Sequence, residues 1–276
     1  MTRLTQSYLS SIDLRQYDLE LQRKVGKTLA QLTMEMSGLP LPLEDLQGES
    51  VAVVPVTAGK GLISGFSDAV SAVIKHLGLK TKVTSNTDIA GIGEAVSNGF
   101  SVLFCADDHL FMALDLHNGR HVDNAEATGE MYMFTADQMA GGMTGKKVLV
   151  IGLGKVGRSC VDFAVKKCAI VYINDIFTER CQDVNESYKN ILVVCKDLEK
   201  ACREADIIID ASPGAGFIRA EWLRDDVLVG APGVPLGLAD EAYNQFWSRV
   251  IHDPLPFGVA GMAAKIFGTR YLVNRR

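Results

Sequence analysis

Residues 147–158 are Lys147-Val148-Leu149-Val150-Ile151-Gly152-Leu153-Gly154-Lys155-Val156-Gly157-Arg158, an apolar run followed by glycines at GxGxxG spacing. Dinucleotides bind to this motif where a strand leads through the glycines into a helix. We expect Gly152 to allow a tight turn, Gly154 to let the backbone approach a pyrophosphate, and Gly157 to let helix and strand pack closely. The start of the helix predicted over Gly157–Lys167 supplies N–H groups and a dipole that favour phosphates, and Lys155 and Val156 are further candidate cofactor contacts. The motif predicts a Rossmann domain.

The residue after the next strand bears on the choice of dinucleotide. Asp175 ends that predicted strand, 23 residues after Gly152, where a carboxylate accepts hydrogen bonds from ribose hydroxyls. Ile176 and Phe177 follow, and no adjacent arginine is positioned for a 2′-phosphate. Because a carboxylate repels a phosphate, the sequence predicts NAD rather than NADP as the cofactor.

Two further loops follow later strands of the same domain. Small residues at such strand ends can lie against the nicotinamide ribose. One loop is Asp210–Gly216, for which a plain turn is the alternative, and the other is Gly230–Pro235. The additional candidate NAD contacts are Ser212, Pro213, Gly214 and Pro232.

The residues before the glycine motif predict a second α/β domain. Helix formers occupy residues 5–36, and a β-α-β-α-β order follows, which implies a parallel sheet covered by helices. We predict strands at 51–56, 80–84 and 101–106, helices at 66–77 and 88–98, and a joining helix over 123–140. The predicted fold is α/β, with an N-terminal helical and α/β substrate domain (1–140, with a C-terminal helix in 256–276 packing back on it) and a Rossmann NAD-binding domain (141–255). A cleft is expected between them.

Polar residues at two strand ends of the first domain are the candidate substrate site. Adjacent carboxylates, as at Asp107 and Asp108, need solvent or a cation, so they suit an amine substrate or else form a solvated loop. They are the candidate catalytic pair, without an assigned base. The loop Val54–Phe66 leaves a strand at the edge where α/β sheets bind ligands. With Asp107, the candidate substrate contacts are Val56, Thr57, Ala58, Ile63 and Phe66, while Lys60 can bind a carboxylate, act as a base or be solvated.

Composition excludes several classes of function. The net charge of -5 leaves no basic excess for nucleic acid. An N-terminal signal peptide and an apolar run of about 18 residues are both missing, so we expect no membrane partner. The six cysteines lack CxxC spacing, as in a cytoplasmic protein with reduced thiols. The set Asp115, His117, His121 and Asp123 matches no familiar zinc site; no metal is predicted, and we assign no role to His109.

The chain resembles the PylD family of pyrrolysine-biosynthesis dehydrogenases. The glycine motif is shared with many dehydrogenases, whereas the stretches of the first domain are more specific. The resembling stretches are Val54–Thr57 through Gly65-Phe66, Phe104–Asp108, Asp123–Gly129, the Gly152 motif and Asp210–Pro213.

The resemblance implies a small-molecule substrate, 3-methyl-D-ornithine joined by an amide to the lysine side-chain nitrogen. Family members use NAD to oxidise its terminal amine to an imine, and water then releases ammonia. The resulting aldehyde condenses with the α-amine and loses water, which leaves the pyrroline ring of pyrrolysine. We expect such an enzyme to act as a homodimer.

Two other functions compete with this one. The first is another two-domain dehydrogenase, of the amino-acid, shikimate or methylenetetrahydrofolate type. Lys60 with Asp107 is only a loose candidate for a shikimate-type lysine–aspartate pair, and no lysine lies within a folate-type tyrosine motif. The second is a non-catalytic NAD-binding regulator, which would bind NAD without turnover.

Overall fold

The computed structural model describes residue 9, residues 12–59 and residues 63–273. The chain divides into two compact units. Unit 1 comprises residues 1–22, 26–128 and 255–276, and unit 2 comprises residues 23–25 and 129–254. The division falls inside the joining helix, whereas the sequence-based boundary at 140/141 lies just beyond the end of that helix. Among the residues that the structure describes, none of the helices combines the length and the apolar composition of a transmembrane span.

Unit 1 combines helices with one five-stranded sheet. Its helices are α1 (Leu14–Val25, whose last three residues belong to unit 2), α2 (Leu29–Ser37), α3 (Phe66–His76) and α4 (Asp88–Ser97). Its strands are β1 (Ser50–Val54), β2 (Lys80–Val83), β3 (Val102–Ala106), β4 (Phe111–Asp115) and β5 (His121–Asp123).

The sheet of unit 1 is mixed rather than wholly parallel. Its strand order is β2-β1-β3-β4-β5, in which β1 pairs in parallel with β2 and β3, while β4 and β5 add antiparallel pairs. The hairpin formed by β4 and β5 differs from the wholly parallel sheet expected from the sequence. Asp115 closes the hairpin by accepting hydrogen bonds from the His117 N–H (2.9 Å) and the Asn118 side chain (2.8 Å), so a segment that resembles a polar loop is a turn between strands.

The chain returns to unit 1 through its last helix. Helix α5 (Asn124–Met139) leaves unit 1, and α10 (Pro256–Val273) packs against α2, α3, β4 and β5. Within α10, Arg270 donates hydrogen bonds to Glu49 (2.7 Å) and to the buried Asp115 (2.8 Å). Because Arg270 supplies a cation to two carboxylates, the helix is fixed against both the start of β1 and the end of β4.

Unit 2 is a doubly wound Rossmann domain, which confirms the predicted α/β class. All six strands are parallel, in the order β11-β10-β9-β6-β7-β8. The strands are β6 (Lys147–Ile151), β7 (Ile170–Asn174), β8 (Val193–Val194), β9 (Ile207–Asp210), β10 (Leu228–Ala231) and β11 (Val250–His252). The helices are α6 (Lys155–Lys166), α7 (Thr178–Ser187), α8 (Leu198–Glu204) and α9 (Asp240–Phe246).

Two apolar layers hold the unit 2 sheet. Val148 and Val150 of β6 point into one buried cluster with residues of α6, and Leu149 and Ile151 point into a second cluster with residues of α8 and α9. The alternation follows from the period of two along a strand. Because both faces of β6 are covered, its ends are the places where ligands can reach the sheet.

The first testable prediction concerns the close packing of α10. A Cβ atom at Gly268 would overlap the carbonyl oxygen of Ser37 in α2, whereas a Cβ atom at Gly93 in α4 would meet no atom within 4 Å. We expect Gly268→Ala to lower the free energy of unfolding by about 1–3 kcal/mol through overpacking. The matched variant Gly93→Ala should raise it by up to about 1 kcal/mol through helix propensity. Urea unfolding of both variants measures this, and equal stabilities would contradict the packing argument.

Candidate functional site

The candidate site of unit 2 lies where the strand order reverses. From β6 the chain runs outward through β7 and β8, then crosses to β9 and runs outward the other way. Open α/β sheets bind ligands at this switch point, beyond the carboxyl ends of the strands. The loops after β6, β7, β9 and β10 therefore define the site.

The glycines after β6 differ in what surrounds them. Gly152 has a φ of +85°, and a Cβ atom there would lie 2.9 Å from the backbone of Ala211 and Ser212. A Cβ atom at Gly157 would overlap the carbonyl oxygen of Gly152. Gly154 instead borders open space, with no atom within 4 Å of a built Cβ. The fold itself requires Gly152 and Gly157, and Gly154 leaves a free approach to the backbone at the start of α6.

The start of α6 faces this open space. Gly154 is its N-cap residue and makes no side-chain capping hydrogen bond. Lys155 and Val156 form the first turn, with Lys155 exposed and Val156 half-buried. Backbone N–H groups in a first turn bind phosphate oxygens when no side chain caps them.

Asp175 follows β7 and lies against the glycine loop. Its Oδ2 accepts hydrogen bonds from the Leu153 N–H (2.7 Å) and from Arg180 (3.0 Å), and its Oδ1 accepts one from the Phe177 N–H (3.0 Å). Burial acts to raise the pKa of Asp175, but the backbone N–H groups of Phe177 and Leu153 and the Arg180 guanidinium outweigh it, so the pKa is lowered. Asp175 is therefore an ionised carboxylate beside the loop.

The sequence shows no arginine adjacent to Asp175 that is positioned for a 2′-phosphate, but the structure places one in contact with the Asp175 carboxylate. Arg180 lies five residues further on, in the first turn of α7, and forms an ion pair with Asp175 at 3.0 Å. Its guanidinium also lies over the Phe177 ring, 4.8 Å from the ring centroid. Helix α7 starts beside the end of β7, so its first turn carries Arg180 next to Asp175. The sequence separation of five residues does not by itself show this contact.

The loop after β9 is organised by Asp210. Its Oδ1 accepts hydrogen bonds from the Ser212 N–H (3.1 Å) and from the Ser212 hydroxyl (2.6 Å), and the Gly214 N–H donates to that hydroxyl oxygen (3.3 Å). Asp210 is fully buried. Burial raises the pKa of Asp210 to about 6, against the hydrogen bonds from Ser212.

The loop after β10 meets the same residues. The Gly233 N–H donates to the carbonyl oxygen of Asp210 (3.0 Å). Cβ atoms at Gly233 and Gly237 would overlap the Ser212 carbonyl oxygen and Asp210 Oδ2, respectively. The loops that carry the candidate contacts Ser212, Pro213, Gly214 and Pro232 are thus held together around one buried carboxyl group.

In unit 1, the carboxyl edge of the sheet holds a second polar cluster. Asp107 and Asp108 are exposed in the turn between β3 and β4. Asp107 Oδ1 accepts the N–H groups of His109 (2.7 Å) and Leu110 (2.8 Å), and these hydrogen bonds lower the pKa of Asp107. The carboxylate of Asp108 lies against Gly59, where a Cβ atom would overlap it. The structure therefore brings the acidic turn against the loop after β1.

Asp88 fixes the loop after β1. Its carboxylate accepts the Thr57 N–H (2.8 Å) and the Thr57 hydroxyl (2.6 Å), and its own N–H donates to the carbonyl oxygen of Pro55 (2.9 Å). Asp88 has a φ of +53°, in the left-handed region that is unfavourable for residues other than glycine. Backbone strain of this kind persists where surrounding contacts determine the conformation.

The other predicted residues of unit 1 lie around the same edge. Val56, Ile63 and Phe66 are half-buried and Ala58 is exposed, and the Phe66 ring packs edge-on against Phe111 at 5.3 Å. Lys60 lies outside the described residues.

The histidine- and aspartate-rich segment has structural contacts of its own. Asp115 binds Arg270 and the hairpin turn. Asp123 caps the start of α5 by accepting the Ala125 N–H (2.7 Å). Within the described ranges, no three His, Cys, Asp or Glu side chains are grouped to hold a metal ion.

Three residues that organise these sites are not evident from the sequence. They are Asp88, Arg180 and Asp210, the last of which has a fully buried side chain. Asp88 follows Thr87 at a helix start and resembles an ordinary first-turn acid. In the sequence, Asp210 is the first residue of a loop of small residues, with no sign that its side chain is buried. The pattern Asp-Ala-Ser is compatible with a carboxylate that accepts a hydrogen bond from the hydroxyl two residues later. This is the signal in the sequence that indicates the role of Asp210.

Family models match both parts of the chain. The model for the N-terminal domain of pyrrolysine biosynthesis protein PylD matches residues 6–122. The model for shikimate/quinate 5-dehydrogenase matches residues 134–222, which include the glycine loop and the loop after β9. The two matches follow the division into a unit 1 with its own sheet and a Rossmann unit 2.

Shikimate dehydrogenase from Aquifex aeolicus, at 15% identity, has a similar fold: the TM-score is 0.54, covering 80% of this chain and 92% of that one. Pyrrolysine synthase from Methanosarcina acetivorans is 32% identical, over 79% of this chain and 82% of its own. Pyrrolysine synthase from Methanosarcina barkeri is 30% identical, over 92% of this chain and 95% of its own. With this identity over nearly the full length of both chains, the protein belongs to the pyrrolysine synthase family of pyrrolysine-biosynthesis enzymes.

Proposed function

We propose that this protein uses NAD to oxidise the terminal amine of 3-methylornithinyl-N6-lysine, with release of ammonia and closure of the pyrroline ring of pyrrolysine. The observation that carries the proposal is a dinucleotide-type glycine loop, with an ionised Asp175 beside it, in a member of this family. NAD supplies an acceptor for the hydride that leaves the carbon bearing the amine.

The residues of unit 2 fit NAD on two counts. Gly154 leaves open space beside the first turn of α6, where a pyrophosphate can approach the backbone. Asp175 keeps a negative charge next to that turn, where it favours ribose hydroxyls over a 2′-phosphate. The proposed NAD contacts are Gly152, Gly154, Lys155, Val156, Gly157, Asp175, Ser212, Pro213, Gly214 and Pro232.

The residues of unit 1 suit a cationic substrate. Asp107 uses Oδ1 for its own turn, and its low pKa keeps it ionised, so it is a good partner for an ammonium group and a weak base. Thr57 donates its hydroxyl proton to Asp88, which leaves the Thr57 oxygen as an acceptor. We therefore assign Asp107 and Asp108 to binding of the substrate's amines. The proton that must leave the reacting ammonium group before hydride transfer passes to another acceptor.

A direct assay tests the function. The protein is incubated with NAD and 3-methylornithinyl-lysine, and NADH, ammonia and pyrrolysine are measured together. The proposal requires all three products in equal amounts, because one amine is oxidised and released per ring closed. NAD binding without any product would identify a regulator, and NADH formation with shikimate instead would identify a shikimate-type dehydrogenase.

A second prediction tests the dinucleotide loop. Gly154→Ala adds a methyl group to space that is empty of protein atoms, so folding should be preserved. The methyl group should obstruct the pyrophosphate and raise the KM for NAD by roughly tenfold or more, about 1.4 kcal/mol of binding. The matched control is Gly93→Ala, which also adds a methyl group to open space, in unit 1. Steady-state kinetics measures both, and equal KM values would contradict the assignment of the loop.

A third prediction tests the acidic turn. Asp107→Asn/Asp108→Asn leaves a side-chain oxygen that can accept the turn hydrogen bonds, because an amide oxygen replaces the carboxylate oxygen, and it removes both charges. Both carboxylates are exposed in the free protein, but an ion pair that the bound substrate buries costs roughly 2–5 kcal/mol when one partner is removed. We therefore expect kcat/KM for the diamine substrate to fall by about 10- to 1000-fold, with NAD affinity unchanged. Normal turnover would reduce the carboxylates to turn residues, and loss of NAD binding would assign them to the cofactor.

A fourth prediction concerns Asp210. Its folded-state pKa of about 6 lies above the ordinary value of 3.8, so the folded chain holds the proton more tightly than the unfolded chain. The resulting stabilisation is full below the unfolded pKa and is lost as pH rises through the folded pKa. Between about pH 5 and 7, the wild type should lose roughly 1 kcal/mol of unfolding free energy relative to Asp210→Asn. Urea unfolding at several pH values measures this, and parallel pH profiles would contradict it.

A further inference from the structure

Three donors occupy the Asp175 carboxylate. Two are backbone N–H groups, of Leu153 in the glycine loop and of Phe177 before α7. The third is the Arg180 guanidinium at 3.0 Å. The Asp175 side chain is 3% exposed, whereas that of Arg180 is 39% exposed. The arginine is therefore the donor that can leave without unfolding the loop.

These three donors compete with a ribose for the lone-pair positions of the Asp175 carboxylate, because the number of those positions is limited. An ionised carboxylate offers about four lone-pair positions. Oδ2 already accepts two hydrogen bonds and Oδ1 accepts one, which leaves one position. A ribose diol that donates two hydrogen bonds needs two. The second position becomes free only when Arg180 moves away from Oδ2.

We propose that Arg180 determines the specificity for the dinucleotide. In the wild type Arg180 is paired with Asp175, and ribose hydroxyls displace it when NAD binds. Once the Asp175 charge is removed, Arg180 binds the 2′-phosphate of NADP. The inference deepens the proposed function and depends on it, because it concerns the same dinucleotide site. Asp175 thus has two effects, since it repels a 2′-phosphate and occupies the cation that would bind one.

The chemistry of Arg180 suits this second role. Its planar, positively charged guanidinium matches phosphate oxygens with paired hydrogen bonds. The Phe177 ring, 4.8 Å from the guanidinium carbon, keeps it near the end of β7 when the ion pair is lost. With Asp175 ionised, the pair has no net charge; with a neutral residue at position 175, the charge is positive.

The test measures the equilibrium binding of NADH and NADPH to the full chain by isothermal titration calorimetry. The proteins are the wild type, Asp175→Asn, Arg180→Gln and the double variant. We expect the wild type to prefer NADH and Asp175→Asn to shift the affinity ratio toward NADPH by roughly tenfold or more. The double variant should lose that gain, and Arg180→Gln alone should bind NADH at least as well as the wild type.

Controls separate the possible failures. Arg203→Gln removes another exposed arginine of unit 2, which pairs with Glu199, and should leave the ratio unchanged in the Asp175→Asn background. Asp175→Ser replaces Asp175→Asn if the latter does not fold. Equal effects of the Arg180 and Arg203 substitutions on NADPH binding would overturn the role of Arg180 alone. A wild type that binds neither nucleotide would overturn the proposed function as well.

Discussion

The backbone of the Gly152 turn touches the loop after β9 so closely that no side chain fits between them. A Cβ atom at Gly152 would lie 2.9 Å from the Ala211–Ser212 peptide, and one at Gly157 would overlap the Gly152 carbonyl oxygen. This contact sets where α6 starts relative to the sheet, and hence which N–H groups face open space. It also brings the loop of Ser212 beside the glycine turn. The candidate dinucleotide site depends on this steric constraint more than on any single hydrogen bond.

Asp175 and Asp210 show how local contacts give two buried carboxyl groups opposite properties. Each follows or ends a strand at the same edge of the unit 2 sheet, and burial alone would raise the pKa of both. For Asp175, two backbone N–H groups and an arginine outweigh burial, so the group stays charged. For Asp210, the hydrogen bonds from Ser212 do not outweigh burial, and its pKa rises to about 6. The charged group suits recognition of hydroxyls, and the group that holds its proton more readily serves to join loops.

In unit 1, aspartate side chains shape the loops that carry the candidate substrate contacts. Asp107 stabilises its own turn, and Asp88 binds both polar groups of Thr57 from a left-handed conformation. Three neighbouring parallel strands bring these residues to one edge of the sheet. Each of these loops is therefore anchored by an aspartate carboxylate.

The sequence by itself determined the Rossmann domain, the glycine loop and the position of Asp175, because an apolar strand, glycine spacing and a strand-end carboxylate are constraints between near neighbours in the chain. Only the tertiary structure decided the rest. The β4–β5 hairpin contains too few residues to show a clear alternation, so its aspartates resembled a loop. The pairs Thr57–Asp88 and Asp175–Arg180 form because a helix starts beside a strand end, and the burial of Asp210 requires the loop after β10 to close over it. Contacts of this kind depend on how elements pack, which no local pattern encodes.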